Sequence, residues 1–124
     1  VKQEEKVVEN VVKVEATEKA FPVLPTIHFK RNLAVIDTVR YAGELSRVVE
    51  TLKEFPGVKV DIRGYTDRVN LPLSLKRAEA LKTYLVSKGI PADRMSTFGE
   101  GKYMSADQKD IYTEKARRVE VKKH

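Results

Sequence analysis

The amino-acid sequence predicts an α+β domain with the element order β-α-β-α-β-(α)-β, in which two main helices pack on one face of a mixed parallel and antiparallel sheet. Three observations lead to this prediction. Apolar residues alternate with charged ones over 58–63, as in a strand with one buried face. Apolar residues at helical spacing lie before this strand, at 42–52, and after it, at 78–85. Strand–helix–strand units imply parallel neighbours joined by right-handed crossovers.

The predicted elements begin after an N-terminal stretch. Residues 1–21 are predicted to be a linker or N-terminal extension from an upstream region, and residues 22–124 to form the domain. Positions 7–14 read VVENVVKV, which fits helical spacing about as well as strand alternation. Pro22 and Pro25 favour an extended entry, because proline and the residue before it avoid the helix. The first strand is predicted at 26–29.

The first helix is predicted to have an N-cap at Asp37-Thr38 and to end near residues 55–57, where a Pro-Gly pair stops it. The second strand is predicted at 58–64. The second helix is predicted at about 74–88, with Ser74 as N-cap and with Gly89 and Pro91 ending it.

The remaining elements follow the second helix. A third strand is predicted at about 94–99, and residues 100–109 are predicted to form a loop. Residues 110–115 can form a short helix. The last strand is predicted at 117–122, with Val119 and Val121 facing the core because they alternate with charged residues.

Composition excludes several classes of protein. The chain has 124 residues, enough for one domain, and no apolar run approaches the roughly 20 residues of a membrane helix. There is no cysteine and no signal-peptide pattern, so the chain is interpreted as a mature fragment or an expressed domain. The basic residues behind the net charge of +6 are scattered among acidic ones, and the sequence has no aromatic-rich strand on which bases could stack. Both features argue against a nucleic-acid-binding protein.

An acid and a base are predicted to lie at one edge of the fold. Asp67 follows the second strand, and Arg77 lies at the third position of the second helix if Ser74 caps it. A helix start already favours an anion, and arginine grips a carboxylate with two parallel hydrogen bonds. A lone carboxylate and a lone guanidinium facing one pocket suit a zwitterionic ligand. The structural alternatives are that Asp67 is an ordinary turn residue, or that Arg77 pairs with it to hold the loop.

A family resemblance appears in the same segment. Thr66-Asp67, then Asn70, Leu73-Ser74 and Arg77-Ala78, resembles the motif of the OmpA-like peptidoglycan-binding domain found in OmpA C-terminal regions, Pal lipoproteins and MotB-type stator proteins. Further stretches resemble the other strands and the end of the second helix. These stretches are Ile27-His28-Phe29 with Asn32, Tyr84-Leu85, Lys88-Gly89-Ile90, Phe98-Gly99-Glu100 and Arg117-Arg118-Val119-Glu120.

The resemblance implies the fold called the OmpA-like sandwich and noncovalent binding of the peptidoglycan stem peptide. By this resemblance Asp67 would hold the ammonium group of meso-diaminopimelate and Arg77 its carboxylate. Asn32, Asn70 and Thr66 would complete the ligand-binding set. The partner is then peptidoglycan, and the domain would lie in the periplasm, tethered to the outer membrane of a Gram-negative envelope without being embedded in it. The resemblance is also compatible with a homodimer.

Three departures from the family pattern support an alternative. Only Arg68 and Val69 separate Asp67 from Asn70, where the family usually has a longer loop. Tyr103-Met104 stand where a proline is usual, and Ala116 replaces the usual asparagine. The alternative is an OmpA-like fold that no longer binds peptidoglycan and acts as a protein-interaction or spacer domain.

Enzymatic and metal-dependent functions are not predicted. The sequence contains no nucleophile elbow, no metal-binding histidine motif and no phosphate-binding glycine loop. Asp61 and Asp67 are a weak glycosidase pair, because strand alternation places Asp61 on the sheet surface. Neither His28 nor His124 has ligand-type neighbours at metal spacing, so no metal and no cofactor is expected.

Overall fold

Four strands form one sheet in the order β1-β4-β2-β3 in the computed structural model, which describes residues 20–66, 71–103 and 116–124. The strands are joined by two α-helices and one short 3₁₀ helix. In chain order the elements are β1 (Ile27–His28), α1 (Ala42–Glu54), β2 (Val60–Thr66), α2 (Leu71–Ser87), the 3₁₀ helix (Ala92–Arg94), β3 (Met95–Lys102) and β4 (Arg118–Lys123).

The sheet is mixed, as predicted. β2 and β3 are parallel, with Val60 opposite Met95, while β4 runs antiparallel between β1 and β2. β1, β2 and β3 therefore all end at one edge of the sheet, here called the upper edge, and begin at the other, the lower edge. The loops that follow β1 and β2 both leave from the upper edge.

Both helices bury apolar residues in one core on the same face of the sheet, which confirms the predicted architecture. Helix α1 contributes Leu45, Val48 and Leu52, and α2 contributes Ala78, Leu81 and Leu85. The sheet contributes the inward side chains of alternate strand residues, since successive side chains in a strand point to opposite faces. These include Val60, Ile62, Val119 and Val121. The other face of the sheet, here called the open face, carries Asp61, Arg63, Tyr65, Phe98, Glu100, Arg118, Glu120 and Lys122.

Helix α2 begins three residues earlier than predicted, so the assignment of Ser74 as N-cap is wrong. Ser74 is fully buried inside the helix. Its hydroxyl donates to the Leu71 carbonyl at 2.8 Å and accepts the Gly101 N–H at 3.0 Å. The hydroxyl therefore bonds across to β3 instead of capping its own helix. Pro72 fits this start because the first turn of a helix has no N–H bonds for proline to remove.

The predicted end of α2 is confirmed. Gly89 has φ of +98°, and its N–H donates to the Val86 carbonyl at 3.0 Å. The Ile90 N–H donates to the Leu85 carbonyl at 3.1 Å. This pair of bonds is the Schellman motif, which favours glycine at the residue with positive φ.

The strands are shifted relative to their predicted bounds. β2 and β4 begin and end slightly later than predicted, and β1 is shorter. Residues 100–102, predicted as loop, continue β3 through a β-bulge: Gly64 pairs with Gly99 but Thr66 pairs with Lys102. Gly101 has φ of +73° in this bulge. The bulge lengthens β3 because an extra residue is absorbed without ending the pairing.

The predicted N-cap of α1 precedes the helix instead of starting it. The Asp37 carboxylate accepts N–H groups of Val39 and Arg40 at 3.2 and 3.0 Å. These bonds stabilise a turn at 38–41, and the helix proper starts at Ala42. The predicted helix at 110–115 and most of the predicted linker at 1–21 lie outside the described residues. Within the described ranges, no helix combines the length and the apolar character needed to cross a membrane.

Candidate functional site

Arg77 links the loop after β1 to the end of β2 at the upper edge of the sheet. Its Nε donates to the Leu33 carbonyl at 2.8 Å, and one terminal nitrogen donates to the Lys30 carbonyl at 3.2 Å. The other terminal nitrogen donates to the Tyr65 carbonyl at 2.9 Å. Lys30 and Leu33 follow β1, whereas Tyr65 lies near the end of β2. The guanidinium thus holds the ends of two strands that are far apart in sequence.

The Arg77 side chain is fully buried, which sequence reasoning did not predict. It is 0% exposed and lies over the Phe29 ring, with 5.2 Å between the guanidinium carbon and the ring centroid. Burying a cation is costly unless dipoles or charges replace the lost water. Three backbone carbonyls and one aromatic face supply part of that replacement. Arg77 is also the seventh residue of α2, in its second turn, so it is not at the helix start that the sequence suggested.

The predicted site residues in the loop after β1 and at the end of β2 differ in exposure. Asn32 is exposed and has φ of +61°, in a turn closed by the Leu33 N–H donating to the Lys30 carbonyl at 3.1 Å. Asparagine tolerates this left-handed conformation better than most residues. Thr66 is buried, and its carbonyl accepts the Tyr103 N–H at 3.0 Å. Asp67 and Asn70 lie outside the described residues.

The family of the chain is settled by comparison with known proteins. Residues 28–119 match the OmpA family. The chain belongs to the OmpA family. The match covers both helices and all three residues whose carbonyls accept from Arg77.

Individual relatives of this OmpA-family chain match parts of it. The peptidoglycan-binding protein ArfA of Mycobacterium bovis is 42% identical over 62 residues, which cover 46% of this chain and 19% of ArfA. Outer membrane protein P5 of Haemophilus influenzae is 35% identical over 101 residues, which cover 71% of this chain and 26% of P5. The chain thus matches about a fifth to a quarter of the length of these curated relatives.

A solved structure agrees with the fold. The peptidoglycan-associated lipoprotein of Burkholderia pseudomallei superposes with a TM-score of 0.66 at 22% identity, covering 80% of this chain and 89% of that one. At this identity the likeness establishes the fold and no more. It confirms the predicted OmpA-like arrangement of two helices on a four-stranded sheet.

Two glycines that the sequence analysis did not assign to the site hold α2 against the sheet of this OmpA-family domain. A Cβ added at Gly64 would lie 1.9 Å from the Ser74 carbonyl oxygen, and one at Gly99 would lie 2.8 Å from the Leu75 nitrogen. Gly64 and Gly99 are neighbours in register across β2 and β3. Their lack of side chains lets the first turns of α2 contact the strands directly. In the sequence, a glycine inside a strand pattern can indicate that another part of the backbone approaches closely at that position.

The two arginines at the start of β4 have different partners. Arg117 Nε donates to the Phe29 carbonyl at 2.9 Å, while Phe29 N–H donates back to the Arg117 carbonyl at 2.7 Å. Arg118 forms an ion pair with Glu120 at 2.7 Å.

The open face contains an acid–base contact that the sequence analysis missed. His124 Nδ1 lies 2.7 Å from an Asp61 carboxylate oxygen, and the other Asp61 oxygen accepts from Arg63 at 3.2 Å. Asp61 lies on the open face, as alternation predicted, but these neighbours leave it only 8% exposed. Over the described parts of the chain, no cluster of three or more potential ligands could hold a metal ion.

Proposed function

We propose that this OmpA-family domain binds the peptidoglycan stem peptide noncovalently and so anchors an outer-membrane or envelope protein to the cell wall. In this proposal Asp67 holds the ammonium group of meso-diaminopimelate and Arg77 holds its carboxylate. Asn32, Asn70 and Thr66 provide polar contacts around the same pocket. The domain has no catalytic role.

One observation carries the proposal: Arg77 lies between the loop after β1 and the end of β2, the residue pair that directly precedes Asp67 being Tyr65-Thr66. The carbonyls of Lys30, Leu33 and Tyr65 fix the guanidinium within 2.8–3.2 Å. A preorganised guanidinium loses little freedom on binding, and a carboxylate offers it charge as well as hydrogen bonds. The relatives support the same role, since one of them is named a peptidoglycan-binding protein and a structural neighbour is named peptidoglycan-associated.

The proposed location follows from the proposed ligand. Peptidoglycan lies outside the cytoplasmic membrane, so the domain would lie in the periplasm. Residues 22–124 would be the binding domain, and residues 1–21 would connect it to a part of the protein held at the outer membrane. Outer membrane protein P5 is among its relatives, which fits this arrangement.

A titration with meso-diaminopimelate, followed through the backbone amide shifts, tests the proposal. We expect saturable shifts at Thr66 and Arg77 in the wild type and loss of binding in Asp67→Ala. Arg77→Ala should lose binding and also stability, because it removes three part-buried hydrogen bonds from a charged donor to backbone carbonyls, a kind of bond that contributes about 1.5–3 kcal/mol.

Arg94 offers a matched control for the stability loss. Arg94 also donates to three backbone carbonyls, those of Leu52, Phe55 and Val58, but it lies at the lower edge of the sheet. Arg94→Ala should destabilise the fold in the same way and leave binding at the upper edge intact. If Asp67→Ala and Arg77→Ala bind the ligand as well as Arg94→Ala does, the proposed site is wrong.

A second candidate function is a protein-interaction or spacer domain without affinity for the cell wall. The full burial of Arg77 favours it, because hydrogen bonds to three carbonyls give this side chain a structural role that requires no ligand. Absence of shifts at millimolar diaminopimelate, in a wild-type protein that is folded, would select this function.

A further inference from the structure

The open face of the sheet contains a groove close to the upper edge. Its volume is about 400 Å³, enough for one or two sugar rings. It lies away from both helices, on the opposite side of the sheet from the Arg77 side chain. Among the described residues it is lined by Tyr65, Glu100, Lys102, Tyr103, Glu120 and Lys122.

Two tyrosines form the aromatic part of this groove. The rings of Tyr65 and Tyr103 are 5.5 Å apart between centroids and nearly perpendicular, at 86°. Arg118 lies over the Tyr103 ring at 4.8 Å and pairs with Glu120 at 2.7 Å. An edge-to-face pair uses one face of one ring, and Arg118 covers one face of Tyr103, so a ligand contacts the ring surface that these two contacts leave. Both rings are half-buried, so their positions are held by the protein.

The polar side chains of the groove balance in charge. Two glutamates and two lysines line it, which gives a formal charge of zero. An uncharged ligand rich in hydroxyl and amide groups fits this balance, because carboxylates accept and ammonium groups donate hydrogen bonds. The tyrosine rings provide flat apolar surface for the C–H face of a sugar.

The groove adjoins the proposed peptide site through the backbone. The Tyr65 carbonyl accepts from Arg77 at 2.9 Å, while the Tyr65 side chain lies in the groove. The Tyr103 N–H donates to the Thr66 carbonyl at 3.0 Å. One ligand that passes over the upper edge can therefore contact both places. The stem peptide of peptidoglycan is covalently attached to a glycan strand, so its sugars lie within reach of the groove.

We propose that this groove binds N-acetylated sugars of the glycan strand and is a second subsite for the same polymer. The tyrosine rings stack on the sugars, and the glutamates and lysines bind their hydroxyl and acetamido groups. The inference rests on the proposed function, since the peptide brings the glycan to this face.

The test compares two ligands: the free stem peptide and the same peptide carrying its N-acetylated disaccharide. The wild type should bind the disaccharide-peptide about three- to tenfold more tightly, the range expected for one aromatic contact. Tyr103→Ala should lose this gain and keep its affinity for the free peptide. Tyr103→Phe, which retains the ring, should keep the gain.

Phe98 provides the matched control. It is an exposed aromatic residue on the same face, under the Arg63 guanidinium at 4.5 Å, and it does not line the groove. Phe98→Ala should leave the gain unchanged. Equal wild-type affinity for the two ligands overturns the glycan subsite alone. Failure to bind either ligand overturns the proposed function and the subsite with it.

Discussion

Arg77 and Arg94 play the same structural role at opposite edges of the sheet. Each donates to three backbone carbonyls, Arg77 at the upper edge and Arg94 at the lower. The planar guanidinium suits this work because its five donors point in fixed directions. What distinguishes the two arginines is their surroundings, since only Arg77 lies beside the loops that contain Asn32 and lead to Asp67.

At the residue scale, the phenol of Tyr65 makes the free energy of unfolding depend on pH in the alkaline range. Its phenol pKa is raised above the usual 10.0, first by burial and then by the nearby carboxylates of Glu120 and Glu100. The folded protein thus holds this proton more tightly than the unfolded chain does. The resulting stabilisation is complete below about pH 10 and is lost as pH rises through the folded pKa.

Urea unfolding on either side of pH 10, in the wild type and in Tyr65→Phe, measures this effect. We expect the wild type to lose stability more steeply above pH 10 than the variant, which has no phenol proton to lose. Other groups titrate in this range, so the difference between the two proteins is the observable. Parallel pH profiles would contradict the assignment.

At the scale of elements, the contact of α2 with β2 and β3 depends on glycine. Gly64→Ala would place a Cβ 1.9 Å from the Ser74 carbonyl oxygen and 3.0 Å from the Ala78 nitrogen. Backbone atoms cannot rotate away as a side chain can, so helix and strand must separate. We expect a loss of about 1–3 kcal/mol or more in the free energy of unfolding, the usual cost of overpacking.

The control for this change is Gly43→Ala, within α1. A Cβ at Gly43 meets nothing within 4 Å. Alanine has the higher helix propensity by up to about 1 kcal/mol, so this variant should be as stable as the wild type or more so. Chemical denaturation of both variants checks the prediction, and a Gly64→Ala protein of wild-type stability would contradict it.

Most elements could be predicted from the sequence because they depend on local patterns. The alternation of 58–63, the helical stripes and the glycine at the end of α2 each act within one segment. The start of α2 could not be predicted. The residues around Ser74 have the pattern of a helix N-cap, whereas its hydroxyl accepts a hydrogen bond from Gly101 in β3, which is distant in sequence. The same error placed Arg77 at a helix start. Arg77 was proposed as a site residue from motif spacing, but its burial depends on carbonyls from a distant loop and from the end of another strand.

At the scale of the whole molecule, the net charge of +6 should strengthen attraction to the wall. Stem peptides carry carboxylates, and a cationic protein is drawn to an anionic polymer. The Debye length falls from about 10 Å at 0.1 M salt to about 3 Å at 1 M, so this attraction is screened at high salt. Co-sedimentation with purified cell wall should therefore decrease between these two concentrations.

The charge effect can be separated from the site. Asp67→Ala should bind less than the wild type at both salt concentrations, although it raises the positive charge of the protein. Retention that rises in Asp67→Ala would mean that charge alone holds the domain on the wall.

If the domain anchors a protein to the wall as proposed, the order of the strands also determines how it would bear a load. Residues 21–24 lie beside the end of β4, and Phe21 contacts Phe55 with 5.3 Å between ring centroids, so the chain enters at the lower edge. The proposed pocket is at the upper edge. Tension between the chain before residue 21 and a wall held at that pocket runs parallel to the strands. Hydrogen bonds between strands are then sheared together and not peeled one by one, which is the direction in which a sheet resists force best.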